Sequence, residues 1–178
     1  MFALVESESI TKYLNGNKGI QIGDLKYPRA IYTLWTEAER NAIGIYEIEI
    51  DKTNLKNTEY YTNTTISYTF ANNKVTGSYG SATARDIDEA KVLKIKEINK
   101  DTNQMLSNTD WYITRNAEKS TTIPSAISTH RDAVRTKQAS METAITNASN
   151  TSALETLFTY TEQEDGTVTR PLGELPTL

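Results

Sequence analysis

The stretch DIDEAKVLKIKEINKDTNQML, Asp86 to Leu106, decides how the chain is divided. Ile87, Ala90, Val92, Leu93, Ile95, Ile98, Met105 and Leu106 recur at helical spacing among Lys, Glu and Asn, which predicts a helix. Upstream the period is two: Tyr46, Ile48 and Ile50 share one strand face while Glu47, Glu49 and Asp51 share the other. The change of period near Ala82 therefore separates a β-rich half from a helical half. Downstream, Ile127, Val134, Met141 and Ala148 stand seven apart behind Pro124, which is placed for the first position of a second helix. Two such helices joined by a turn over Ser107 to Ile123 are expected to pack antiparallel.

Within the β-rich half, Phe2 to Glu6 and Ser9 to Leu14 flank a polar turn, and Asn15-Gly16-Asn17-Lys18-Gly19 supplies a second. Thr36 and Glu39 have the spacing of a capping box, so Glu37 to Ile43 should form a short helix that Gly44 ends. Tyr60 to Phe70 and Lys74 to Tyr79, separated by Ala71-Asn72-Asn73, read as a hairpin. Beyond Ala148, Phe158 to Pro171 reads as a small hairpin or extended tail, and Leu172 to Leu178 as loose or partner-dependent. The expected fold class is α+β: an N-terminal antiparallel β meander with one short helix over 1–82, a two-helix antiparallel hairpin over 83–149, and a C-terminal hairpin or extended tail over 150–178.

Composition narrows the chemistry. The chain has 178 residues, with 19 Lys+Arg against 23 Asp+Glu and a net charge of -4. No global positive field exists to hold nucleic acid or an anionic membrane. There is no Cys and one His, which removes thiol nucleophiles, disulfide frameworks and zinc or iron–sulfur sites. No stretch approaches the roughly 18 apolar residues of a spanning helix, and the opening MFALVESESITKY lacks the basic, apolar and small-residue regions of a secretory signal. The 27 Thr and 16 Ile favour strands, while 10 Tyr, 3 Phe and 2 Trp argue against wholesale disorder.

Catalytic signals are thin. His130 has no Ser or Asp arranged with it as a triad, and packing on or beside the second helix accounts for it. Glu47, Glu49 and Asp51 invite comparison with the paired carboxylates of glycoside hydrolysis, but three acids on one strand side read first as a solvated face. Gly77 and Gly80 belong to no phosphate-binding motif. Lys91, Lys94, Lys96 and Lys100 alternate with Glu89, Glu97 and Asp101, the pattern of an ion-paired helix face. No cofactor or metal is expected. Tyr46, Tyr60, Tyr68 and Tyr79 are the candidates for a recognition surface, because tyrosine offers large contact area with few torsions.

Residues 107 to 135 carry a Thr109-Asp110-Trp111 segment, then Glu118, Pro124 and Arg131-Asp132-Ala133-Val134-Arg135. This arrangement resembles the C-terminal module of phage tail assembly chaperones and tail-fibre assembly proteins, in which T-D-W is followed by an acid, a Pro and a Y-R-x-A-[LV]-R helix. His130 stands where that pattern has Tyr. Phe2 to Glu6 and Leu34 to Arg40 look, more loosely, like the N-terminal parts of such proteins in marine phages. The resemblance implies a non-enzymatic helper that binds a phage tail or tail-fibre protein in the host cytoplasm during virion assembly, with no nucleic-acid or membrane partner. A minor structural component retained on the virion, such as a fibre or baseplate adaptor, is the alternative. It also implies a structural motif of Asp110, Trp111, Glu118, Pro124, Arg131 and Arg135. Trp111 is expected buried at the helix–helix corner against Ile127, Arg131 or Val134, and Glu118 is expected to meet Arg131 and Arg135. Binding is expected at the β region, through a free sheet edge and the tyrosines.

Overall fold

The computed structural model describes all 178 residues. They form two compact units, residues 1–58 with 62–83 and residues 59–61 with 84–178. In chain order the elements of the first half are β1 (Phe2–Glu6), β2 (Ser9–Leu14), β3 (Ile20–Ile22), β4 (Leu25–Tyr27), α1 (Ile31–Leu34), α2 (Glu37–Ala42), β5 (Ile45–Asp51), β6 (Tyr61–Thr62), β7 (Ser67–Ala71), β8 (Lys74–Ser78) and β9 (Thr83–Ala84). There follow α3 (Ile87–Ser107), α4 (Asp110–Lys119), α5 (Ser125–Asn147), α6 (Thr151–Phe158), β10 (Thr161–Glu162) and β11 (Val168–Thr169).

The first unit corrects the expected meander. Its main sheet has the order β2-β1-β5-β8-β7 and is mixed, because β5 pairs in parallel with β8 while its other neighbour β1 is antiparallel. The reason lies in β5 itself, whose Ile45 and Ile48 face opposite sides and are both buried. A strand buried on both faces is stable in the middle of a sheet, and β5 takes that place between β1 and β8, neither of them its neighbour in the chain. Ile45 joins Leu4, Ile20, Ile31 and Tyr32 in one cluster, which the β3–β4 pair, α1 and α2 help cover. Ile48 joins Ala3, Val5 and Val75 in another.

Two tight turns set the register. Ser7 and Glu8 between β1 and β2, and Asn72 and Asn73 between β7 and β8, all have positive φ, the conformation whose twist matches paired strands. The capping box forms as spelled: Thr36 Oγ1 accepts from the Glu39 amide at 3.3 Å and the Glu39 carboxylate accepts from the Thr36 amide at 2.7 Å. Gly44 ends that helix with φ +80°, and a Cβ there would lie 2.6 Å from the Val5 carbonyl oxygen.

The second unit is more than a two-helix hairpin with a tail. The long helices α3 and α5 do run antiparallel, since Lys91 donates to the Thr146 carbonyl, Gln138 to Asn99 and Arg131 to the Leu106 carbonyl. The expected turn between them, however, contains the ten-residue helix α4, which ends at Ser120 in the left-handed region. After α5 comes α6, started by Asn150 accepting from the Ala153 amide at 2.8 Å. Leu154 of α6 packs with Ile98, Met141 and Ile145 into the core of this unit. The last segment is docked: Leu172 is only 3% exposed, its amide donates to the Leu157 carbonyl, and Lys137 donates to its carbonyl. The segment is polar in sequence, and its anchors are the buried Leu172 and, packed partly against the same core, Leu175. No helix is long and apolar enough to cross a membrane.

Candidate functional site

The Thr109-Asp110-Trp111 segment lies where α3 ends and α4 begins, and α5 supplies its partner. Arg131, 6% exposed, points its guanidinium at that junction. One terminal nitrogen donates to the Leu106 carbonyl and to Thr109 Oγ1, both at 2.7 Å, and the other meets Asp110 Oδ1 at 2.9 Å. Thr109 is itself buried and donates its hydroxyl to the same Leu106 carbonyl at 3.0 Å. A helix leaves its last carbonyls without partners, and a planar fork of donors is the side chain suited to collect several acceptors at once. Arg131 therefore closes the end of α3 and fixes the start of α4 in one set of contacts.

That arrangement corrects the expected burial of Trp111. The corner is filled by Arg131, and the indole is displaced to the first turn of α4, where it is 51% exposed. Its ring stacks on Tyr112 with centroids 3.7 Å apart and planes at 31°. Ile113 is 41% exposed, and α4 contains no buried residue at all. A helix carrying Trp, Tyr and Ile with no residue fully buried is unusual, because its chain removes only part of that apolar surface from water, Tyr112 being half-buried beneath the indole.

The remaining residues of the motif separate into different places. Glu118 is exposed on the last turn of α4 and forms no ion pair with Arg131 or Arg135; Asp110 takes Arg131, and Arg135 pairs with Asp132 at 3.5 Å. Pro124 stands one position before the first residue of α5, as its N-cap, with extended ψ. His130 is half-buried on α5.

The four tyrosines do not form one open surface. Tyr60 is 2% exposed and belongs to the core of the second unit. In the first unit Tyr46 is half-buried, its ring 4.8 Å from Phe70 and its hydroxyl donating to Asn73. The Tyr68 ring meets that of Tyr13 in a tilted contact, centroids 4.9 Å apart, so the two outer strands β2 and β7 of the sheet meet through their side chains. An edge closed in this way is a poor template for an added strand. Tyr79 is half-buried, and its carbonyl accepts from Asn54.

The acids on β5 are each engaged. Glu47 pairs with Arg40 at 3.8 Å and Glu49 with Lys74 at 3.3 Å. Asp51 accepts from the hydroxyl and the amide of Thr53, which hold its carboxyl below the usual range, the opposite of what a general acid needs. Lys94 lies between the Glu59 and Glu97 carboxylates at 3.0 and 2.9 Å, over the rings of Phe158 and Tyr60. Burial pulls its pKa down, but the hydrogen bonds with Glu97 and Glu59 outweigh that and raise it, so the amine stays protonated and is no nucleophile. No group of three or more His, Asp or Glu side chains is arranged to hold a metal ion. Comparison with protein-family models, curated proteins and solved structures returned no match.

Of the residues singled out in the sequence, Asp110 and Arg131 are joined in the structure, whereas Trp111 is exposed and Glu118 meets neither arginine. The signal that sequence reasoning passed over is Asp110-Trp-Tyr-Ile: a helix-starting carboxylate followed by three large apolar residues in a row, more than one buried stripe can absorb.

Proposed function

We propose that this chain is a non-enzymatic assembly chaperone for a phage tail or tail-fibre protein, acting in the host cytoplasm, and that α4 is the element it presents to that partner. One observation carries the proposal: a helix with no buried residue, rigidly started by the Arg131 fork, displays a half-exposed tryptophan stacked on a tyrosine. Tryptophan, tyrosine and arginine dominate the energetics of protein interfaces, and a pre-positioned aromatic loses little further entropy on binding. Arg115 and Lys119 on the same helix give its outer turns a basic flank beside Glu118. The binding region accordingly moves from the sheet, whose outer strands are drawn together, to the helical unit. The T-D-W segment resembling phage chaperones then has two parts: Thr109 and Asp110 are held by Arg131, and Trp111 is offered outward.

Partners of this kind are long, β-rich and multimeric, and before assembly they expose apolar seams prone to aggregation. An aromatic anchor on a stable helical support covers such a seam and leaves when oligomerisation buries it. Co-expression with a tail or tail-fibre protein of the same phage tests this. Increased solubility and co-purification are expected, with Trp111→Ala weakening capture by roughly 30-fold or more, the effect of losing a hot-spot residue. Unchanged solubility without co-purification overturns the proposal. Stoichiometric recovery from purified particles by mass spectrometry places the chain among minor virion components instead.

A further inference from the structure

The solvent face of α3 carries a second apolar feature, well apart from α4. Val92 and Leu93 are 65% and 66% exposed, the most open pair of large aliphatic neighbours on any helix of the chain. Fifteen residues separate Leu93 from Asn108, so at 1.5 Å per residue this patch lies about 22 Å from the start of α4. Leu93 forms the lip between two hollows. One, of about 240 Å³, has Ala90, Tyr60 and Lys94 in its walls, and the other, a shallow groove of about 480 Å³, runs past Val92 to Asp88 and Glu89.

The charges around the pair are arranged with a twofold pattern. Glu89 stands one helical turn before Val92–Leu93 and Lys96 one turn after, on the same stripe of the helix by their spacing of seven. Both are exposed, and neither has an ion-pair partner within the chain, whereas Lys94 and Glu97 next to them pair with each other. When a second α3 is laid antiparallel on the first, centred between Val92 and Leu93, Glu89 of each copy falls opposite Lys96 of the other. Leu93 of each copy falls beside the hollow at the lip of its counterpart. A ridge bordered by hollows, with opposite charges at equal distances on either side, is self-complementary under a twofold axis. Lys100, farther out on the stripe, falls opposite the segment before the partner's α3, and an oblique crossing as in common ridge-into-groove packing carries it away from there.

We infer that the chain forms an isologous dimer through α3, with Val92 and Leu93 at its centre and reciprocal Glu89–Lys96 ion pairs on either side. The apolar area is small, so association is weak and depends on concentration. Given the proposed role of α4, such a dimer carries two Trp111 anchors and engages a multimeric partner with avidity.

Analytical ultracentrifugation of the full chain over a concentration series tests this. The wild type is expected to dimerise below roughly 1 mM, an affinity typical of small interfaces. Leu93→Asp should weaken dimerisation at least tenfold with an unchanged circular dichroism spectrum, since the site is exposed. Glu89→Lys and Lys96→Glu should each weaken it by placing like charges opposite. An equimolar mixture of the two should recover a heterodimer, because the lysine introduced in one variant then faces the glutamate introduced in the other, and the native Lys96 of the first faces the native Glu89 of the second. Trp111→Ala should dimerise like the wild type, which separates this test from that of partner capture. A wild type that stays monomeric overturns the inference, and so does a dimer indifferent to Leu93→Asp or a charge-swapped mixture that fails to associate.

Discussion

Replacing Arg131 by alanine, and Trp111 by alanine in a separate variant, asks which residue holds the α3–α4–α5 corner. Arg131→Ala removes two hydrogen bonds of 2.7 Å to the Leu106 carbonyl and the buried Thr109 hydroxyl, and a 2.9 Å contact with Asp110. Hydrogen bonds from a charged donor are worth about 1.5 to 3 kcal/mol each. The two buried ones therefore set the scale, while the Asp110 contact, whose carboxylate is largely in water, adds a few tenths. Against this stands the desolvation of the guanidinium, whose Nε finds no partner. The expected loss is about 3 kcal/mol. Trp111→Ala forfeits chiefly the stacking on Tyr112, worth about 1 kcal/mol. Urea denaturation followed by helical circular dichroism is the assay, because the long helices all belong to the second unit. Arg131→Lys should recover less than half of the loss, since an ammonium cannot reach the same set of acceptors in one plane. A cost below about 1 kcal/mol for Arg131→Ala, or of about 3 or more for Trp111→Ala, refutes the reasoning.

Three further outcomes are expected. Tyr60 has its pKa raised chiefly by burial, and Lys94, which burial would lower, is raised because its carboxylate partners outweigh that burial; both contribute stability that is full below their unfolded values near 10 and lost as pH rises beyond them. Thermal melting should accordingly show the second unit weakening above about pH 10, less steeply in Tyr60→Phe. Gly44→Ala places a Cβ 2.6 Å from the Val5 carbonyl oxygen at φ +80°, so it should destabilise the first unit by about 2 kcal/mol or more in equilibrium unfolding. Leu172→Ala should cost about 2 to 4 kcal/mol and make the segment after Arg170 a rapid site of limited proteolysis, where the parent resists.

Local readings of the sequence succeeded where the signal is carried by neighbours in the chain. The Thr36 and Glu39 pair closes a capping box because both donors and acceptors lie within one turn, and Asn72-Asn73 makes its hairpin because asparagine tolerates the left-handed region. The two long helices follow from their apolar period; their antiparallel packing, across a connection that holds a helix of its own, is fixed by the contacts of Lys91 with Thr146, Gln138 with Asn99 and Arg131 with Leu106. The parallel pairing of β5 with β8 is different. Nothing within Ile45 to Asp51 says which strand lies on its far side; that depends on burying Ile48 against Val75, a contact formed only when distant strands assemble. The docked Leu172 escaped for the same reason, since one leucine in a polar segment becomes a core residue only when another surface receives it, whereas α6, with Ala153, Leu154, Leu157 and Phe158 at helical spacing behind Asn150, carried a local signal that was passed over.

The candidate site divides in the same way. From the sequence alone came the list of residues, Asp110, Trp111, Glu118, Pro124, Arg131 and Arg135, of which Asp110 and Arg131 form an ion pair while Glu118 and Arg135 stand outside it, and the exclusion of thiol chemistry from a chain without cysteine. Tertiary structure alone assigned their roles. A tryptophan is the obvious residue to fill a corner by area, but this corner presents three acceptors together, the Leu106 carbonyl, the Thr109 hydroxyl and the Asp110 carboxylate, and a guanidinium fork reaches all three. Arg131 therefore goes inside and Trp111 outside, an exchange decided by where three helices converge and not by the hydrophobicity of either side chain.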